Sequence, residues 1–305
     1  MTAQADPSTP SPLEARTMRQ ISWRLLPFLM FCYFVSFVDR VNVGFAALQM
    51  VKDLHMSPRV FGFGGGIFFV SYFLLEVPSN LLLEKVGARR WIARIMLTWG
   101  FLAAGTAFVV GAHSFYAMRL LLGAAEAGFF PGVILYLTYW FPSEYRARII
   151  GMFTVAIPVS SFLGSPISAA LLGIDGWLGL RGWQWMFILE GAPNIVFGLV
   201  VLFYLTETPA QAHWLTGEQR DWLQVQYDAE RNKRAALIEK ERAKTWSLLL
   251  DWRVLSYGAA FFGVLTGSYG LILWLPQMVK AFGGTNFQTG LITAIPYGFG
   301  CIATL

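Results

Sequence analysis

Residues 115–140 read FYAMRLLLGAAEAGFFPGVILYLTYW. The run exceeds the roughly 20 apolar residues that a helix needs to cross a bilayer, yet it carries Arg119 and, seven residues later, Glu126. That spacing returns to one helix face and separates the two groups by about 10 Å along the axis, too far for direct neutralisation. A second such pair, Asp39-Arg40, interrupts residues 25–47, LLPFLMFCYFVSFVDRVNVGFAA. An ionised side chain at bilayer depth costs roughly 2.5–3.5 kcal/mol on insertion scales, so the four together cost about 10 kcal/mol, the size of a whole domain's net stability. Groups kept at that cost point to passage of an ion or a substrate.

Working outward, 56% of the 305 residues are hydrophobic and 13% charged, with the apolar residues in long blocks. This is the pattern of an integral, all-helical membrane protein. Spans are predicted near 25–47, 61–83, 91–112, 115–140, 149–172, 185–205 and 254–279, with an eighth beginning near 289. The net charge of +5 follows from topology rather than from nucleic-acid binding. Of 23 lysines and arginines, Arg40 and Arg119 are intramembrane, and Lys52, Arg59, Arg181 and Lys280 fall in one set of loops. All the others lie in the N-terminal tail, in the alternate loops or at their helix ends, which places the N-terminus in the cytoplasm.

Four segments are expected: a disordered cytoplasmic tail (1–22), Pro/Ser-rich and without a signal peptide; a six-helix bundle (23–205); a charged cytoplasmic linker with surface helices (206–250), opened by a possible capping box at Thr216 and Gln219; and the start of a second, truncated bundle (251–305). Buried charge recurs at the first helix of each group of three, and internal repeats of this kind mark secondary transporters. Cys32 and Cys301 read as free thiols in apolar blocks. His55, His113 and His213 lie at membrane edges without the spaced carboxylates a metal needs, so neither metal nor cofactor is expected. No phosphate loop or nucleophile elbow is present, which disfavours an enzyme.

Asp39 and Arg40 lie about 100° apart on their helix and cannot face one partner together. The predicted crossings are therefore Asp39–Arg119 and Arg40–Glu126. Arginine suits a carboxylate bidentately, and a carboxylic acid in a low-dielectric cavity can take a proton near neutrality. Arginines for an anion plus carboxylates for a proton define a proton-coupled anion carrier, with an ion-pair lock as the alternative. Tyr72, Glu76 and Asn80 form a polar stripe on the second span, bent at Pro78. Glu190 is placed one to two turns from the outer membrane boundary, where a carboxylate touching water and a functional carboxylate are equal readings.

The segments VDRVNVGFA, SYFLLEVPSNLLLEKVGARRWIAR, RLLLGAAEAGFFPGVILYLTYWFP and RGWQWMFILEG together resemble the anion:cation symporter family of the major facilitator superfamily, in particular its tartrate, phthalate and hydroxyphenylacetate permeases. The resemblance runs from about residue 20 to the end. It implies the major facilitator fold, an inner-membrane location, a monomer when full length, and uptake of a small organic anion with protons by alternating access. It assigns anion contact to Arg40, Arg119, Tyr72 and Asn42, proton coupling to Asp39 and Glu126, and a conformational latch to Glu84, Lys85, Gly87 and Arg89. Glu84 stands where the family pattern has Asp, Asn80 where it opens with Gly, and Ser165 and Ser168 where its fifth helix has glycines. Family members have twelve helices and this chain supplies about seven and a half, so a non-transporting fragment or scaffold is the competing expectation.

Overall fold

The computed structural model describes residues 11–241 and 251–304, and these residues fold as helices and short connections. They comprise α1 (Pro12–Asp53), α2 (Pro58–Val86), α3 (Ala88–Gly105), α4 (Ala112–Glu126), α5 (Phe129–Thr138), α6 (Ser143–Thr154), α7 (Ala156–Leu171), α8 (Gly182–Tyr204), α9 (Gly217–Glu241), α10 (Trp252–Lys280) and α11 (Asn286–Thr304). Seven stretches are long and apolar enough to cross a membrane, with α4–α5 and α6–α7 each counting as one. α1 is the central helix and packs on α7, α8 and α10, while α2 lies against α4, α3 against α8, and α11 against α7.

α1 begins well before the predicted span. Ser11 caps it by accepting from the Glu14 amide at 3.2 Å, and Thr17, Met18 and Ile21 are buried against the end of the bundle. Residues 12–22 are thus an ordered helical extension rather than a disordered tail, because their apolar side has a surface to cover; residues 1–10 lie outside the described residues. The eighth helix likewise starts earlier than expected, at Asn286. Thr285 and Gln288 cap it reciprocally, each side-chain oxygen accepting from the other's backbone amide.

The fourth span is not one helix. α4 ends at Glu126, and α5 starts after Gly128, whose φ of +88° is left-handed. Only glycine takes that conformation without cost, and a Cβ here would also strike the Ser79 side chain. Close approach is required at Gly123 too, where the Phe68 carbonyl of α2 occupies the space a side chain would need. α2 is therefore clamped to the α4–α5 break. Irregular backbone at this depth is tolerated where protein encloses it or where it lines a cavity.

On the linker, α9 opens with the anticipated capping box: the Thr216 amide donates to Gln219 Oε1 at 3.0 Å, and the Gln219 amide to Thr216 Oγ1 at 3.3 Å. Gln219 also donates to Gln20 of α1. Further along, Glu230 accepts from the Ser143 amide and from Arg146, both at 2.5 Å, which ties α9 to the start of α6. Residues 242–250 lie outside the described residues.

Partial burial pulls the Glu230 carboxyl up, but the Ser143 amide and the Arg146 guanidinium outweigh it and hold the group below its ordinary value near 4.5. A carboxylate held low contributes stability above its unfolded pKa and loses it as the pH falls through the folded one. The protection of α9 amides relative to their intrinsic exchange rates is therefore expected to be high at neutral pH and to fall below about pH 4.5. Glu230→Gln should show the lower protection throughout. An unchanged pH profile in that variant would remove Glu230 from the docking contact.

Candidate functional site

The four buried charges enter the bundle from two helices. Asp39 and Arg40 sit side by side near the middle of α1, while Arg119 and Glu126 lie on α4, with Glu126 its last residue before the break. Asp39, Arg119 and Glu126 are 2%, 7% and 1% exposed, so none is hydrated like a surface group.

One predicted crossing forms: Arg40 Nε donates to Glu126 Oε2 at 2.8 Å. Arg40 Nη1 also donates to the Tyr269 hydroxyl of α10 at 3.0 Å. The guanidinium carbon lies 5.1 Å from the Tyr72 ring centroid, 5.6 Å from that of Trp99 and 5.9 Å from that of Phe68. These aromatic faces favour a cation where water is scarce. Tyr72 thus reaches the site through Arg40, as its place on the polar stripe suggested. Asn80, on the same stripe, turns back to donate to the Glu76 carbonyl of its own helix.

The other predicted crossing does not form. Asp39 accepts from Trp99 Nε1 of α3 at 2.8 Å and from Asn42 Nδ2 at 2.7 Å, both neutral donors. Arg119 instead reaches the Gly64 carbonyl of α2 at 3.4 Å and lies 4.6 Å from the centroid of the Phe68 ring. The reason lies in α1: adjacent residues diverge by about 100°, so with Arg40 aimed at α4 the Asp39 carboxylate faces α3. Asn42, expected to touch substrate, is fully buried and spends its amide on Asp39.

Behind Asp39 lies a second polar group. Glu190 of α8 is 5% exposed and accepts from Ser168 Oγ of α7 at 2.7 Å, so it is an interior carboxyl rather than a boundary one. Ser36 donates to Asn194 across α1 and α8 at 2.7 Å. Asn42 Oδ1, Glu190 Oε2 and Asn194 Nδ2 are buried without a partner. Trp99 was missed because it sits in an ordinary apolar run, where its polar tip leaves no mark in the spacing.

Glu84, Lys85, Gly87 and Arg89, the expected latch, lie around the α2–α3 turn. Gly87 has a φ of +98° and closes α2, accepting no side chain because the Glu207 carboxylate fills the space where a Cβ would stand. Glu207, just beyond α8, accepts from the Arg89 amide at 3.4 Å and pairs with its guanidinium at 3.8 Å. Glu84 and Lys85 are exposed. Arg89 is thus engaged within the first bundle. Among the described residues no group of three or more His, Cys, Asp or Glu could hold a metal ion.

Among the described residues, seven apolar stretches long enough to cross a membrane, with a buried ion pair at a broken helix, make up a polytopic membrane protein. The Major Facilitator Superfamily profile matches residues 29–305, and the chain belongs to that superfamily. A protein of Agrobacterium vitis named "Putative tartrate transporter" is 53% identical over 94% of this chain and 65% of its own length. A "Quinolone resistance transporter" of Acinetobacter baumannii is 41% identical over 96% of this chain and 67% of its own. Among solved structures, a bacterial homolog of the human lysosomal transporter Spinster, inward-facing and unoccupied, superposes with a TM-score of 0.71 at 20% identity, covering 94% of this chain and 60% of that one. The chain therefore spans about two thirds of the length of these relatives.

Proposed function

We propose that this chain forms the first bundle and the start of the second of a proton-coupled importer of a small organic anion, a tartrate-like hydroxy-diacid, sugar acid or aromatic carboxylate, working by alternating access in the inner membrane with its N-terminus in the cytoplasm. The observation that carries the reading is the buried Arg40–Glu126 pair at the α4–α5 break. Glu126 occupies on Arg40 the place a substrate carboxylate would take. When Glu126 gains a proton its hold on Arg40 weakens, and an anion can replace it; Arg119, about two turns away on the same helix and hydrogen-bonded to a backbone carbonyl, supplies the second cation. Asp39, bound by Trp99 and Asn42, is the other proton carrier. The names of two relatives mention tartrate and quinolone resistance; tartrate and quinolone drugs both carry a carboxylate, which is the group two guanidiniums would select.

The test is uptake of radiolabelled tartrate by proteoliposomes holding the full-length protein, acidic outside. The expected result is accumulation that collapses with the pH gradient. Arg119→Ala should weaken anion binding by about 10- to 100-fold, the value of a hydrogen bond to a charged group. Binding at the wild-type level would remove Arg119 from the site. No accumulation of any carboxylate would leave the scaffold reading standing, and accumulation only when the gradient is reversed would make the protein an exporter.

A further inference from the structure

Away from the central charges, the N-terminal turns of α1 face a cavity of about 460 Å³ lined by Arg16, Arg19, Gln20, Trp23, Arg24, Tyr204 and Trp214. Residues 16, 19, 20, 23 and 24 recur at three- and four-residue steps, so one face of α1 presents three guanidiniums together. Among the described residues no carboxylate lines the cavity and none of the three arginines is in an ion pair.

The neutral polar groups around it are already used. Gln20 donates to the Trp214 carbonyl at 2.8 Å and accepts from Gln219 at 3.1 Å, Trp214 Nε1 donates to Thr206 Oγ1 at 3.2 Å, and the Tyr204 hydroxyl donates to the Arg24 carbonyl at 2.9 Å. Arg24 is sandwiched, its guanidinium carbon 5.0 Å from the Tyr204 ring and 4.9 Å from the Trp214 ring. Its Nε is buried and has no acceptor. A preorganised guanidinium with an unmet donor, beside two more and no counter-charge, asks for a ligand with several anionic oxygens. Phosphate is the group that fits.

The site's position in the bundle says where that phosphate comes from. Arg24 immediately precedes the apolar run that starts at Leu25, Tyr204 is the last residue of α8, and Trp23 is 76% exposed, as tryptophans at a membrane–water boundary are. Two turns along the same face Phe31, 46% exposed, continues an apolar strip beside Phe197 of α8. A free anion would need neither the boundary nor the strip. We infer that this cavity binds the phosphodiester head group of an anionic phospholipid, with Arg24 as the fixed donor, Arg16 and Arg19 as the outer clamp, and an acyl chain along Trp23 and Phe31.

The experiment is lipid binding by the full-length protein in detergent, read by native mass spectrometry with phosphatidylglycerol, with zwitterionic phosphatidylcholine, and with phosphatidylglycerol in the presence of millimolar inorganic phosphate. Phosphatidylglycerol is expected to bind at least about tenfold more tightly than phosphatidylcholine, and inorganic phosphate to displace it only weakly. Arg16→Gln/Arg19→Gln, both on exposed side chains and expected to leave the melting temperature unchanged, should lose about tenfold or more of that preference at the contribution typical of basic residues near anionic lipid. Arg24→Gln should lose it too. Equal binding of the two lipids, or a double variant that keeps the wild-type preference, overturns the inference. So does strong binding of inorganic phosphate without preference for the anionic lipid, which would make this a site for the free ion.

Discussion

Arg40→Met is expected to cost the folded protein about 3–5 kcal/mol, and adding Glu126→Gln to the same chain to restore most of it. Removing one partner of a buried pair leaves the other charge desolvated and uncompensated, which is the larger penalty; replacing both by neutral groups of similar size is often nearly neutral. Glu126 is 1% exposed and Arg40 is its only ion-pair partner among the described residues. With 2–4 °C per kcal/mol for chains of roughly this size, the single variant should melt about 10 °C below wild type in detergent. Its deficit should shrink at low pH, where Glu126 can take a proton and shed the charge, and the double variant should show little pH dependence. If Arg40 receives the substrate carboxylate as proposed, neither variant should transport, because that cation is gone from both. Recovery of stability without recovery of uptake separates the pair's structural role from its chemistry. A single variant as stable as the double at neutral pH would show that the ion pair does not hold α1 to α4.

The parts of this architecture that were legible in the sequence are those written as hydrophobic period and charge placement. Span positions followed from apolar block length, and the Arg40–Glu126 crossing followed from the cost of leaving either charge alone in hydrocarbon. The failures share one cause: they depend on rotation about helix axes and on what the neighbouring helix offers. Asp39 could have met Arg119, but Trp99 offers it an indole N–H at 2.8 Å and Arg119 settles on a backbone carbonyl. Glu190 looked peripheral by its count of residues from the membrane edge, yet α7 brings Ser168 to it in the interior. The break after Glu126 was present only as Gly128, one of 30 glycines, and what distinguishes it is the Ser79 side chain packed where its Cβ would be. Residues 12–22 read as a polar tail because their apolar members are few; Thr17, Met18 and Ile21 nevertheless find the bundle end.

Glu126→Gln is expected to keep exchange of internal for external anion while abolishing uphill accumulation. In the proposed mechanism the Glu126 carboxylate and the substrate compete for one guanidinium, so each anion bound requires Glu126 to take up a proton. Linkage then makes anion affinity fall about tenfold per pH unit over the range where Glu126 is ionised in the empty site. Glutamine cannot ionise and offers Arg40 only a neutral oxygen, so the anion finds its cation already free. Its dissociation constant should become independent of pH and, at high pH, smaller than the wild-type value. Counterflow needs only binding and reorientation and should survive, whereas accumulation needs the proton's free energy and should not. Asp39→Asn provides the contrast, since Asp39 bonds Trp99 and Asn42 and does not cover Arg40: its anion affinity should retain the wild-type pH slope. Accumulation by Glu126→Gln at the wild-type level, or a tenfold-per-unit slope persisting in that variant, would place the coupling proton elsewhere, and the buried Glu190 carboxyl would be the next to replace.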